Sequence, residues 1–317
     1  MVYDIITVGS ATIDIFLKTK SKDVEIEEIH HHKDICMPIG AKILVDELYT
    51  DTGGGGTNCG VAFARMGLKT GWIGKIGDDL NSKTVLSQMA DEKVTFLGGR
   101  AKGSTGLSVI LTGFDKNRTI LAYKGINDTL KSSEVKRAAT KWYYMSSMRG
   151  ESWKTAVKIA KDAKKKKIPI AFNPSLYTAK EGVRKLRPIL DAAKILVLNK
   201  EEAQALSGKK KGYLEKLQKI VPLVVVTDGN KGAVAYNGIK KYSLKIPKQK
   251  IIETTGAGDS FASAFVASVI KGKDIQTALL NGYKQAESVI QHYGAKNNLL
   301  TWSQVIRMKT KAKVIEC

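Results

Sequence analysis

The stretch Glu253-Thr254-Thr255-Gly256-Ala257-Gly258-Asp259-Ser260-Phe261 combines residue types that could do chemistry. Its glycines leave backbone N–H groups uncovered, and an apolar, helix-like segment over 261–270 follows. The positive end of that helix dipole then faces the same point as the bare amides, an arrangement suited to an anion. Asp259 falls in the first helical turn. A carboxylate beside an anion site costs electrostatic energy unless it has a task, and taking a proton from an attacking hydroxyl is one. A helix cap with a solvated acid would not need Gly-Ala-Gly, helix and acid together.

Other segments carry weaker signals. Gly53-Gly54-Gly55-Gly56-Thr57-Asn58 opens a short helical pattern closed by Gly67. A glycine run lets a ligand reach the backbone, and Asn58 can both donate to and accept from a hydroxyl; equally, Asn58 could be a helix N-cap. No Lys-Ser or Lys-Thr stands where a phosphate loop of the GxxxxGK[ST] type needs it. Asp14 sits in an apolar strand-like run, where it could bind sugar hydroxyls or cap a turn. Asn199 and Glu202 are one helical turn apart after an apolar strand, so they could hold hydrated Mg²⁺ near phosphates or form a capping box. Thr227 and Gly229 suit a nucleotide phosphate or a hairpin turn. His30-His31-His32 lacks completing ligands and reads as a solvated loop. Cys59 has no evident base.

Strand-like runs at 3–8, 70–76, 143–146, 168–173, 195–199 and 223–227 alternate with helical patterns at 57–66, 83–91, 152–166, 178–193 and 200–206. This alternation predicts βαβ units and an α/β fold with a mainly parallel sheet, which binds ligands at the C-terminal ends of its strands. Asn173, Asn199 and Thr227 lie at such ends. Two regions break the alternation: 12–52, with strand-like 13–17 and 43–49, and 106–123, which reads as a hairpin turning at 112–117. Together they are expected to form a small separate sheet covering one edge of the main domain.

At 317 residues the chain can bury a large core. No apolar run approaches the ~18 residues of a membrane helix, and the N-terminus lacks the basic stretch of a signal peptide. Three cysteines with no CxxC spacing point to a reduced compartment; a cytoplasmic protein is expected. The net charge of +22 should attract polyanionic small molecules such as nucleotides. No basic stripe interleaved with aromatics appears, so nucleic acid is not expected as the main partner.

With these motifs in view, the sequence resembles the ribokinase-like (PfkB) carbohydrate kinase family from about Asp4 to Thr301. Residues 53–67 look like the family's N-terminal Gly-Gly…Asn motif, and 253–261 like its C-terminal DTxGAGD motif. Asp14, Gly77-Asp78-Asp79, Asn199-x-x-Glu202 and Thr227-x-Gly229 match in order. The resemblance implies a single kinase domain over 1–317. It would be a three-layer α/β/α body with a small β-sheet lid from parts of 12–52 and 106–123. It implies ATP-dependent transfer of the γ-phosphoryl group to a hydroxymethyl group of a pentose or hexose. A nucleoside kinase of the same family is the main alternative, and a catalytically weak sugar- or nucleotide-binding protein the alternative of another class. By position, Asp259 would be the base and Gly256, Ala257 and Gly258 the anion hole. Asp14, Gly54, Gly55, Gly56 and Asn58 would hold the sugar. Asn199, Thr227 and Gly229 would face ATP, and Glu202 would help organise Mg²⁺. A homodimer through the lid is a further expectation. Four departures stand out. Glu253 replaces the usual Asp at a position that often helps hold a monovalent cation, which leaves K⁺ activation open. Tyr283 falls where small polar residues often approach adenine. Ser82 replaces a common glycine after Gly77-Asp78-Asp79. No acid near Met145-Ser146-Ser147-Met148 matches those ribokinases use for ribose.

Overall fold

A computed structural model describes residues 2–29, 32–114, 117–249 and 251–317. His30 and His31, and the turn positions Asp115 and Lys116, lie outside the described residues. The main sheet has ten strands. From one edge they are Thr95–Phe96, Thr70–Ile73, Ile5–Val8, Tyr143–Ser146, Ile170–Asn173, Ala193–Asn199 and Leu223–Thr227, then Ala233–Tyr236, Lys241–Lys245 and Lys313–Glu316. The first seven pair in parallel and the last three join antiparallel.

The parallel strands read as continuous apolar runs because both faces are covered. Successive side chains alternate between two cores. Met145, Phe172, Leu196 and Leu198 pack on one side with the helices Gly150–Lys165 and Gly182–Leu190. Tyr144, Ala171, Ile195 and Val197 pack on the other with Gly55–Arg65, Ala257–Ile270 and Ile275–Val289. The result is a three-layer α/β/α body.

A second sheet of four strands runs in the order Asn117–Tyr123, Gly106–Phe114, Thr12–Lys18, Glu47–Gly53. Asp14 stands opposite Ser108 and Asp51, so these three share one face. Asp79 ties this sheet to the body. It caps the helix Leu80–Asp91 by accepting from the Ser82 amide at 2.9 Å, and its other carboxylate oxygen accepts from the Thr105 amide at 2.7 Å, just before the strand Gly106–Phe114.

Two expectations need correction, and one element is new. The strand predicted at 43–49 is Glu47–Gly53, because its partner Thr12–Lys18 sets the register from Thr12 opposite Gly53 to Lys18 opposite Glu47. The helix predicted at 178–193 is two, Leu176–Ala179 and Gly182–Leu190, parted at Gly182 with φ of 79°. The 12–52 region also holds an additional hairpin, Glu25–Ile29 with His32–Cys36.

Candidate active site

The parallel strands end beneath the second sheet, and a cavity of about 400 Å³ lies between them. Asn173, Asn199 and Thr227 line it from strand ends, and Asp14, Ser108 and Arg118 from the second sheet. Gly54, Gly55 and Asn58 line it from one helix, and Gly256, Gly258 and Asp259 from another. Segments some 200 residues apart in sequence thus meet directly: the Asn58 amide donates to Asp259 Oδ2 at 2.9 Å.

The glycine loop before Asp259 is shaped by its own sequence. Glu253 Oε1 accepts from the Thr254 amide at 2.7 Å and from the Thr255 amide and hydroxyl, both at 2.9 Å. Gly256 then takes φ of 78° as N-cap of the helix Ala257–Ile270. This turn leaves the N–H groups of Gly256, Gly258 and Asp259 without an acceptor among the described residues, at a helix N-terminus. The Ala257 N–H instead donates to the Thr254 carbonyl at 3.2 Å, and Ala257 does not line the cavity.

The opposite wall begins at Gly54, whose φ of 97° makes it the N-cap of the helix Gly55–Arg65. Asn58 therefore lies inside the first turn, and the N-cap alternative is overturned. A Cβ on Gly55 would come within 2.9 Å of Ser146, so glycine keeps this wall open. Gly56 does not line the cavity. A Cβ there would lie 2.5 Å from the Gly9 carbonyl and 2.6 Å from the Trp72 indole nitrogen, so its smallness serves packing. Gly229 also lies off the cavity, in the turn joining Leu223–Thr227 to Ala233–Tyr236.

Asp14 is buried and accepts from the Thr12 hydroxyl at 2.8 Å; burial pushes its carboxyl up. Burial also pushes Asp259 up, against the Asn58 and Cys59 hydrogen bonds and the Lys296 charge that pull it down. Asn199 and Glu202 form the capping box: Asn199 Oδ1 accepts from the Glu202 amide at 2.9 Å and Glu202 Oε2 from the Asn199 amide at 2.8 Å. Glu202 still lines the cavity, and burial raises its carboxyl to about 7. Among the described residues, no group of three or more His, Cys, Asp or Glu side chains could hold a metal. Cys59 is fully buried and its thiol pushed well up, so it is no nucleophile. Tyr283 is buried in the core away from the cavity, its hydroxyl on Glu287 at 3.0 Å.

Two cations escaped sequence reasoning. Arg118, from the second sheet, lies 3.5 Å from Glu253 and donates to the Thr254 hydroxyl. Its Nε is buried with no hydrogen-bond partner among the described residues. Lys296 is fully buried and donates to Asn58 Oδ1 at 3.0 Å. Neither sits in a local pattern; only the pairing of distant segments brings Arg118 to the cavity and Lys296 behind Asn58 at its wall.

A three-layer α/β/α body with a cavity between a glycine-capped helix N-terminus and a second sheet is the arrangement of a class of phosphotransferase. The chain belongs to the pfkB family of carbohydrate kinases, whose profile matches residues 4–302. It is thus a phosphotransferase with an alcohol group as acceptor. A protein of Archaeoglobus fulgidus described as an uncharacterized sugar kinase is 28% identical over 245 residues, 75% of this chain and 98% of its own. A nucleoside kinase of Methanocaldococcus jannaschii is 25% identical over 272 residues, 83% of this chain and 86% of its own. The structure of Arabidopsis thaliana ribokinase complexed with ribose and ATP superposes with a TM-score of 0.78 at 22% identity, covering 97% of this chain and 98% of that one. Among the described residues, no helix is long and apolar enough to cross a membrane.

Proposed function

We propose that the protein transfers the γ-phosphoryl group of ATP to a hydroxymethyl group of a pentose or hexose, with Asp259 as general base. The observation that carries this reading is the junction of a half-buried carboxylate, Asp259, with three acceptor-free N–H groups at one helix N-terminus. Phosphoryl transfer needs positioning and charge neutralisation more than covalent work. Asp14 and Asn58 orient the acceptor hydroxyls. Asp259 takes the proton from the attacking hydroxyl, and burial brings its basicity closer to neutrality. The free N–H groups of Gly256 and Gly258 receive the charge developing on the transferred group. Asn199 and Thr227 face the nucleotide from the far end of the cavity.

A single carboxylate at the cavity edge, Glu202, with the Asn199 amide beside it, is a donor set that fits Mg²⁺, which keeps several waters and takes substrate phosphate oxygens. When bound, Mg²⁺ would neutralise triphosphate charge. The four-stranded sheet acts as a lid that excludes water from the transfer. Its outer face carries Leu48, Leu121 and Tyr123, exposed at 67%, 58% and 58%, a surface suited to a second copy of the chain. The three free cysteines suit a reduced, cytoplasmic setting. The nucleoside kinase among its relatives keeps a nucleoside acceptor as the second reading. ADP release should be measured across pentoses, hexoses and nucleosides, each with a free hydroxymethyl group. Release with a sugar supports the proposal, and release with nucleosides alone selects the second reading. Ligand binding without any ADP release would leave a binding protein.

A further inference from the structure

Lys296 follows the helix Ile275–Val289 in a loop that passes under both glycine motifs. It is 2% exposed, yet among the described residues it forms no ion pair with a carboxylate. Its ammonium donates to the Thr52 carbonyl and, at 3.0 Å, to Asn58 Oδ1. Burying an ammonium without a direct counter-ion is costly, and a lysine whose only use was to pack a loop would be replaceable by an apolar side chain. The loop is held independently, since Arg65 donates to the Lys296 and Leu299 carbonyls at 3.3 Å each.

An ammonium can only donate, so Asn58 must turn its carbonyl oxygen to the lysine. Its amide N–H₂ is then left to face Asp259, where it donates to Oδ2 at 2.9 Å. The charges around the lysine come from four elements: Asp14, Asp51 and Asp259 attract it, and Arg65 opposes it. Asp51 has one buried carboxylate oxygen without a hydrogen-bond partner. The ionisable groups facing Asp259 itself are Cys59, Lys296 and Asp14, with Glu202 and Tyr144 beyond.

We infer that Lys296 is a positioning residue. Its buried ammonium fixes the orientation of the Asn58 amide, and through it one oxygen of Asp259, so that the acceptor side of the cavity and the base are set by one cation. This rests on the kinase reading for its consequence, but the arrangement itself can be tested without turnover. Lys296 also lowers the energy of the ionised Asp259, so its removal should make that carboxyl harder to ionise.

The test uses Lys296→Met and Lys296→Gln, both neutral and of similar length, with thermal unfolding to verify folding. The Asp259 carboxyl is followed by ¹³C-labelled aspartate spectra, its signal assigned by its loss in Asp259→Asn. It should titrate about one pH unit higher in either folded variant than in the wild type, tenfold in ionised fraction. Where wild-type ADP release is established, the acid limb of kcat/KM for the acceptor should move up with it, while KM for ATP stays within about twofold. An unmoved Asp259 titration in a folded variant overturns the inference, even if kcat falls, because a packing role would cost rate without moving the carboxyl. If neither neutral variant folds, the lysine is a structural cation and the inference also falls. A wild type that titrates as described yet releases no ADP would instead count against the kinase reading alone.

Discussion

The two glycines flanking Ala257 should respond oppositely to the same substitution. Gly256 has φ of 78°, and a Cβ there would lie 2.5 Å from Ala295 Cα and 2.6 Å from its Cβ. A side chain in the left-handed region costs about 1–2 kcal/mol, and overpacking against backbone about 1–3 kcal/mol. The neighbour cannot easily yield, since Arg65 anchors the following carbonyl, that of Lys296. Gly256→Ala should therefore lose about 2–5 kcal/mol of stability. A Cβ on Gly258 meets nothing within 4 Å, and its φ is not in the left-handed region. Gly258→Ala should keep or gain stability, by up to about 1 kcal/mol from helix propensity. Its new methyl would nonetheless stand at the cavity wall where the transferred group must approach. Displacing that group by ~1 Å costs on the order of 10²-fold in rate, so a loss of at least about tenfold in kcat is expected. Thermal unfolding without ligand and ADP release read the two effects separately. A Gly256→Ala protein as stable as wild type would refute the steric argument. A fully active Gly258→Ala would refute the placement of the anion loop.

Asn58→Ala should raise KM for the acceptor more than KM for ATP, and a selective loss of ATP affinity would reverse the two halves of the site. Burial holds Glu202 protonated up to about pH 7, so affinity for Mg·ATP should be full above that pH and fall about tenfold by pH 6. Binding isotherms at several pH values, flattened in Glu202→Gln, check this. For folding the sign reverses: the raised carboxyl contributes stability that is full below its unfolded pKa and lost as pH rises through about 7. Glu253→Asp shortens the side chain that holds Thr254 and Thr255. If a monovalent cation shapes this loop, the wild type should respond weakly to K⁺ and the Asp variant more strongly, at constant ionic strength. Strong K⁺-selective activation of the wild type would end that idea.

The parallel core was legible because strands buried on both faces must be apolar, as 223–226 and 170–172 are before their polar cavity-side ends. The segments at Gly54–Asn58 and Gly256–Asp259 were legible because their backbone demands are local: left-handed glycines followed directly by helices. Register was not, since the apolar residues at 43–45 look like a strand until Gly53 finds Thr12. Gly56 could not be told from a ligand-facing glycine, because what a Cβ would strike is set by distant chain; Gly229 has φ of 51° and a Cβ there meets nothing within 4 Å, so a turn glycine and a ligand-facing one look alike in sequence. Lys296 and Arg118 read as two of 52 cations among surface charges. Only tertiary pairing turns one into a buried ammonium and the other into a contact of Glu253.

The central claim is that Asp259 takes the proton from the acceptor hydroxyl. It is tested most directly by Asp259→Asn, which keeps size and shape and removes the basic carboxylate. The measurement is single-turnover ADP formation, with acceptor affinity determined separately by calorimetry. The account predicts a fall in the transfer rate of at least ~10²-fold with acceptor affinity largely kept. A variant that retained more than about half of the wild-type rate would contradict it, since no general base is lost so cheaply.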